Sequence, residues 1–172
     1  MPKKVVVTDQ APKAIGPYSQ ANMINVRTLV FVAGQVPINP ATGQIVSGGI
    51  CVQTHQSLKN VSNILVASGS SIDKVVKTTV YLKNLDDFKE MNEVYSAYFT
   101  QDFPARATVQ VARLPLDALV EIDAIGYIEE LVPRLPRCIL ILSYATNDGE
   151  EKMSQVKIRW ISAKEFEAVN EE

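Results

Sequence analysis

Residues 103–126, FPARATVQVARLPLDALVEIDAIG, contain two successive runs in which apolar residues alternate with others. Arg106 lies near the start of the first run and Glu121 near the start of the second. Arg106 carries a planar guanidinium that can pair with a carboxylate through two hydrogen bonds. Glu121 carries a carboxylate that can hold a water molecule and exchange a proton with it. On paired strands, they would grip a small carboxylic acid and deliver water to the adjacent carbon. The alternative is an exposed cross-strand salt bridge, which contributes little to stability.

Three uncharged residues extend this candidate site. Tyr18, in the Gly-Pro loop AIGPYSQA, can donate its phenol proton to a ligand, although loop tyrosines more often serve as packing residues. Gly34 follows the strand VFVA, where it either lets backbone approach a ligand or marks a bulge. Asn92 stands among apolar residues of a predicted helix, either as a buried amide or at the water's edge.

Motifs of the common hydrolases are missing from the sequence. It has no Gly-x-Ser-x-Gly elbow, no phosphate-cradling glycine loop and no His-Glu-x-x-His pattern. One histidine, His55, and two distant cysteines, Cys51 and Cys138, cannot supply a dense metal-ligand set. The substrate is therefore expected to be one that water attacks readily.

The composition excludes several classes of protein. A chain of 172 residues, 47% hydrophobic and 21% charged, can bury a core and suits one domain with an appendage. A net charge of −2 gives no basic stripe, which makes nucleic acid an unlikely partner. The start MPKKVVVTDQAPKA lacks the apolar run of a secretory signal, and CILILSY is too short to span a bilayer. We expect a cytoplasmic or mitochondrial protein without membrane contact.

Hydrophobic periodicity predicts the elements that position these residues. KKVVVT is a first strand, and ANMINV and TLVFVAGQV form a hairpin around residues 25–28. Apolar residues at helical spacing predict a helix over 52–67, and a run of β-branched residues predicts a strand over 75–82.

A second helix and two more strands are predicted after residue 82. Asp87 with Glu90 three residues later indicates the start of a second helix. Strands over 107–112 and 119–128 follow. The order is that of an α+β domain in which two helices cover one face of a mixed sheet. The other side of the last strand mixes Glu121 and Asp123 with large apolar residues, as a subunit interface or pocket wall does, so self-association is expected.

The C-terminal part differs in composition. ELVPRLPR breaks the last strand and is typical of a linker, so we divide the chain into a domain over 1–130 and an extension over 131–172. The extension has a hairpin pattern around Asn-Asp-Gly and ends in a short acidic segment with a helical capping signal. Its role is unknown.

Five motifs stand in order along the first domain: AIGPYSQA, VFVAGQVPINPATGQIVSGG, VVKTTVYLKNLDDF, FPARATVQVARLP and VEIDAI. Together they closely resemble the RidA/YjgF family of reactive-intermediate (2-iminobutanoate/2-iminopropanoate) deaminases, from about residue 3 to 130. The resemblance implies a chorismate-mutase-like fold and a homotrimer with three clefts between subunits. It also implies hydrolysis of imines released by pyridoxal-phosphate dehydratases, a form of metabolite damage control, with no cofactor or metal.

The resemblance also implies roles for the candidate residues. Arg106 would clamp the substrate carboxylate and Glu121 would position the attacking water. Tyr18, Gly34, Asn92 and Thr108 would line the cleft.

Two positions depart from the family pattern, because Ala33 replaces a serine and Thr108 replaces a cysteine. We expect these changes to alter substrate preference and not to abolish activity. Two other functions stay open: a non-catalytic module that binds small carboxylates or a partner, and an RNA-directed role as ribonuclease or translation inhibitor.

Overall fold

A computed structural model describes residues 3–129, and the predicted 131–172 extension with its hairpin and helix lies outside the described residues. The main sheet has four strands, which are β3 Thr28–Gln35, β6 Val75–Leu82, β7 Ala105–Gln110 and β8 Val120–Ile128. Their order across the sheet is β3-β8-β6-β7. β8 is antiparallel to β3 and to β6, whereas β6 and β7 are parallel. The predicted α+β class with a mixed sheet is therefore confirmed.

Two helices cover one face of this sheet. They are α1, Ile50–Ala67, and α2, Phe88–Tyr98. Their apolar residues recur at helical spacing and meet alternate residues of β6 and β8 in one core. Within the described range, neither helix is long and apolar enough to cross a membrane. The fully buried side chains of this core include Leu58, Val61, Leu65, Met91, Tyr95, Val80, Leu82, Val120 and Ile122.

The opposite face, which we call the open face, has no helix over it within the described part of the chain. It presents Phe31, which is 71% exposed, together with Leu29 and Val109. Side chains alternate between the two faces along each strand, so Tyr81 and Glu121 lie on the open face and the residues next to them in sequence point to the core. An apolar surface of this kind is typical of an interaction site.

The predicted hairpin of the second and third strands is wrong. β2, Ala21–Ile24, pairs with β1, Lys3–Val6, whereas β3 pairs with β8. Asn22 explains the separation, because its Nδ2 donates to the carbonyls of Val76 at 3.0 Å and Phe103 at 3.1 Å. These contacts hold β2 near the start of β6 and β7, while β3 lies at the other edge of the sheet.

Two local details were not predicted from the sequence. A small hairpin of β4, Ile38–Asn39, and β5, Gln44–Ile45, lies within the turn-rich segment over residues 37–49. A 3-10 turn over Leu85–Asp87 precedes α2, and the Asn84 side chain accepts from the Asp86 N–H at 3.1 Å. Asp87 is the N-cap residue of α2, as predicted, but its side chain makes no capping hydrogen bond. The side-chain cap lies one turn upstream, at Asn84.

Candidate functional site

Arg106 projects from β7 toward the helices and lies among three aromatic rings. Its Cζ is 4.6 Å from the centroid of the Tyr95 ring, 5.6 Å from that of Phe88 and 5.8 Å from that of Tyr18. Cation–π contacts of this kind stabilise a guanidinium that has lost part of its water. Burial lowers the pKa of Arg106, and the charge interactions with Tyr95 and Tyr18 oppose that shift.

Helix α2 supplies one wall of this pocket because three of its residues share a face. Phe88, Asn92 and Tyr95 follow each other at spacings of four and three, which brings them into line on a helix. The Nη1 of Arg106 donates to Asn92 Oδ1 at 2.8 Å. Arg106 forms no ion pair with any residue in 3–129, so most of its N–H donors are uncommitted there.

The loop before β2 supplies the other wall. Ser19 N–H donates to the Pro104 carbonyl at 3.1 Å, and the Ser19 hydroxyl donates to the Phe103 carbonyl at 2.6 Å. These bonds fix the loop to the chain just ahead of β7, which places Tyr18 beside the guanidinium. A Cβ built on Gly16 would lie 3.7 Å from Arg106 Nη2, so the loop backbone also approaches the cation closely.

Tyr95 is the floor of the pocket. Its hydroxyl forms a 2.7 Å hydrogen bond with Thr78 Oγ1, and neither residue is exposed. Thr78 is also the register partner of Arg106 between β6 and β7. Desolvation raises the pKa of Tyr95 to about 12. The strand register and the buried ring together fix where the guanidinium lies.

Replacing Tyr95 with phenylalanine is expected to lower the free energy of unfolding at pH 7 by about 1–2 kcal/mol, because the Thr78 hydroxyl stays buried without its partner. The difference should shrink above pH 10. There the wild-type phenol must stay protonated when folded but ionises when unfolded, which costs about 1.4 kcal/mol per pH unit up to pH 12. Urea denaturation of both proteins at pH 7, 10 and 11 measures this. A constant difference across that range would contradict it.

Glu121 lies on the open face, in a cleft of about 280 Å³. The cleft is lined by Gly34, Tyr81, Val111, Arg113, Leu114, Glu121 and Asp123. Gly34 sits where the β3–β8 register shifts between Val32 and Gln35, which agrees with the bulge that was one of the alternatives for this glycine. A Cβ on Gly34 would overlap the Glu121 carboxylate, whose Cδ would be 2.8 Å away. Only glycine therefore lets this carboxylate lie against the β3 backbone.

Arg106 and Glu121 do not lie on paired strands, so the expectation that paired strands bring them together is wrong. β6 separates β7 from β8, and Arg106 is in register with Thr78 whereas Glu121 is in register with Tyr81. Thr78 points to the helices and Tyr81 to the open face, as the alternation of a strand requires. Within one chain, the two side chains therefore stand on opposite faces of the sheet.

The predicted residues fall into two groups around these charges. Tyr18 and Asn92 lie with Arg106, and Gly34 lies with Glu121. Thr108, two residues beyond Arg106 on β7, pairs with the core residue Val80, and its Oγ1 is buried without a hydrogen-bond partner in the described structure.

Sequence reasoning missed three residues of these groups. Tyr95 and Phe88 were not assigned to the site, although their spacing with Asn92 signals a shared face. Tyr81 was not assigned to the Glu121 cleft, whereas Asp123 was expected on the same side of the last strand as Glu121. Among residues 3–129, no three histidine, cysteine, aspartate or glutamate side chains cluster as a metal site would require.

The fold and these two groups define a class: small α+β proteins with an aromatic-walled arginine pocket and a glutamate cleft on opposite faces of one sheet. The profile of the family described as Endoribonuclease L-PSP matches residues 8–128. The chain belongs to this family, also called RidA/YjgF.

Individual relatives agree with this assignment. A RutC family protein of Pyrococcus abyssi is 55% identical over 129 residues, covering 75% of this chain and all of that protein. The human 2-iminobutanoate/2-iminopropanoate deaminase is 47% identical over 124 residues, covering 72% and 89% of the two chains. The crystal structure of Escherichia coli TdcF with bound serine superposes with a TM-score of 0.55 at 42% identity, covering 72% of this chain and 98% of that one.

Proposed function

We propose that the protein is a hydrolytic deaminase that converts 2-imino acids such as 2-iminobutanoate and 2-iminopropanoate into 2-keto acids and ammonia. One observation carries the proposal: the guanidinium of Arg106 is half-buried among aromatic rings and has no carboxylate partner within residues 3–129. A desolvated cation of this kind is stabilised by an anion that enters from outside. The small planar carboxylate of an imino acid matches its fork.

The arginine pocket supplies further contacts for such a ligand. Asn92 takes one N–H of Arg106 and leaves the others directed to the carboxylate. The Tyr18 ring lies beside the guanidinium on the loop side, and the buried Thr108 hydroxyl has no hydrogen-bond partner in the described structure. We assign these residues to substrate binding.

The glutamate cleft supplies the water. The Glu121 carboxylate makes no hydrogen bond or ion pair with any residue in 3–129, and it lies at a cleft large enough for a small ligand. Its carboxylate can hold a water molecule and take its proton. An imine carbon is already electrophilic, so orientation of the two reactants accounts for most of the catalysis.

Because the two groups stand on opposite faces of one chain, we propose that each complete site forms between neighbouring copies in a homotrimer. Arg106 of one copy would meet Glu121 of the next. The exposed apolar residues of the open face, Phe31, Leu29 and Val109, support the assembly because their burial favours association.

The reaction is balanced with water as the only co-reactant. The water oxygen bonds to the imine carbon while the C=N π pair moves to nitrogen. One water proton passes to Glu121 and then to that nitrogen, giving a carbinolamine. The C–N bond then breaks, nitrogen takes the hydroxyl proton and leaves as ammonia, and the remaining oxygen becomes the keto group.

The comparisons support this substrate class. The human relative is named as a deaminase of these two imino acids, and TdcF holds serine, which carries a carboxylate next to a nitrogen-bearing carbon. Pyridoxal-phosphate dehydratases that act on serine or threonine would release the substrate, so the protein would act downstream of such enzymes and limit damage by the reactive imine.

Addition of the purified protein to a threonine dehydratase reaction is expected to speed formation of 2-ketobutanoate well above the spontaneous rate. Trapping the imine with semicarbazide measures its lifetime. The lifetime should shorten as protein is added, because the rate of imine loss rises in proportion to protein concentration. An unchanged lifetime at all protein concentrations would overturn the proposal.

Two glycine-to-alanine variants test the role of the Glu121 carboxylate, one as the test and one as its control. Gly34→Ala must displace the Glu121 carboxylate, so we expect roughly a tenfold or greater loss of rate. Gly49→Ala precedes α1 at φ −80°, with no atom within 4 Å of the added Cβ, and should leave the rate unchanged.

A further inference from the structure

The Glu121 cleft contains a second oxygen that faces the same space. Tyr81 is the register partner of Glu121 between β6 and β8, so the two side chains are cross-strand neighbours on the open face. Asp123 follows Glu121 by two residues and lies on the same side of β8. All three line the cleft beside Gly34.

Asp123 fixes the position of the Tyr81 proton. The Tyr81 hydroxyl donates to Asp123 Oδ2 at 3.0 Å, while Asp123 Oδ1 accepts the Thr79 backbone N–H at 2.9 Å. The hydrogen bond to Asp123, with smaller effects of burial and charge, raises the pKa of Tyr81 against an opposing hydrogen-bond interaction with the Thr79 side chain, so the phenol keeps its proton near neutral pH. With that proton already donated, the Tyr81 oxygen can only accept a hydrogen bond from the cleft.

Two acceptors side by side suit a water molecule. A water molecule bound only to a carboxylate can rotate about its one hydrogen bond. A second acceptor fixes both O–H bonds of the water, so that a lone pair points away from the two acceptors. The cation in the cleft wall, Arg113, is already committed, because its Nε and Nη2 donate to Asp117 at 2.9 and 3.0 Å.

We propose that Tyr81 is the second anchor of the hydrolytic water: one O–H points to Glu121, the other to the Tyr81 oxygen, and a lone pair points to the imine carbon. Asp123 is then a positioning residue that keeps the phenol an acceptor. This inference rests on the proposed function. Tyr81 accepts throughout the attack, so the proton that Glu121 takes is the only one that moves at this step.

Tyr81→Phe keeps the ring and removes the oxygen. We expect kcat for imine hydrolysis to fall about tenfold, the loss of one oriented hydrogen bond, while KM and the Kd for 2-ketobutanoate stay unchanged. Tyr98→Phe is the matched control, because the Tyr98 hydroxyl donates to the His55 carbonyl on the helix layer. That variant should keep the wild-type kcat.

Asp123→Asn separates positioning from mere structural support. The asparagine amide can donate to the Tyr81 oxygen, which turns the phenol proton toward the cleft and converts the acceptor into a donor. The expected kcat loss therefore equals that of Tyr81→Phe although the phenol is still present. A purely structural role would instead lower the unfolding midpoint of both variants and leave kcat per folded molecule at the wild-type value, and this outcome would overturn the inference.

The inference and the proposed function fail in different ways. If wild type shortens the imine lifetime and both variants do so equally well, Tyr81 is not an anchor and the deaminase proposal stands. If wild type leaves the imine lifetime unchanged, the deaminase proposal is overturned and the anchor role is overturned with it.

Discussion

Replacing Arg106 with alanine is expected to lower kcat/KM for imine hydrolysis about a thousandfold. Two charge-assisted hydrogen bonds to the substrate carboxylate disappear with the guanidinium, which corresponds to roughly 4 kcal/mol of transition-state binding. Arg106→Lys should recover only part of the loss, because an ammonium keeps the charge without the planar fork. The dehydratase-coupled assay and calorimetric binding of 2-ketobutanoate measure the two effects separately.

Arg27→Ala is the control for this prediction. Arg27 is an exposed arginine in the turn before β3, so its removal changes the net charge by the same amount without touching the pocket. If Arg106→Ala kept the wild-type kcat/KM, Arg106 would not be the carboxylate clamp and the proposed substrate class would lose its main support.

Mixing two inactive variants is expected to restore activity. Arg106→Ala and Glu121→Gln each remove one half of the site, and these halves stand on opposite faces of the chain. In mixed assemblies formed by co-expression, a site is intact when its arginine and its glutamate come from the appropriate copies. In an equal mixture, about half of the sites have an intact arginine from one copy, and about half of those have an intact glutamate from the neighbouring copy. About a quarter of the wild-type activity should therefore return.

The outcome distinguishes the two possible arrangements directly. If each site drew both residues from one chain, mixing would give only the residual activity of the parents. Native mass spectrometry of the co-expressed pair, with a mass tag on one variant, establishes that mixed species are present and counts the copies in each. Mixed species without recovered activity would contradict a site shared between copies.

The sequence was sufficient to predict the helices and the strands of the main sheet, but neither the small β4–β5 hairpin nor the pairing of the strands. The predicted strand over 75–82 coincides with β6, because it is rich in β-branched residues and its buried positions alternate with partly exposed ones up to Leu82. Periodicity also located both helices, since Leu58 and Met91 recur in register with their apolar neighbours. Neither signal carries information about which strand lies beside which. The parallel pairing of β6 with β7, which inserts β6 between β7 and β8, depends on contacts distant in sequence.

The same limit applied to the candidate site. Arg106 and Glu121 were found from charge within apolar runs, and Gly34 from its place at the end of a strand. Arg106 and Glu121 lie on opposite faces of the sheet because of how the strands pair, so this placement could not be predicted without the pairing. Tyr95 was missed for another reason: it is fully buried at core spacing, and only the structure shows the guanidinium 4.6 Å above its ring.

Phe31, at 71% exposure, matters before any reaction takes place. The proposed trimer would cover this ring together with Leu29 and Val109, whereas a folded chain that has not assembled leaves them exposed. Within the described residues, β3 and β7 are also the edge strands of the main sheet. Uncovered apolar surface beside free strand edges promotes aggregation. A substitution that prevents the proposed assembly should therefore yield insoluble protein instead of a stable monomer, and the amount of protein that survives in a cell would then depend on how quickly chains associate.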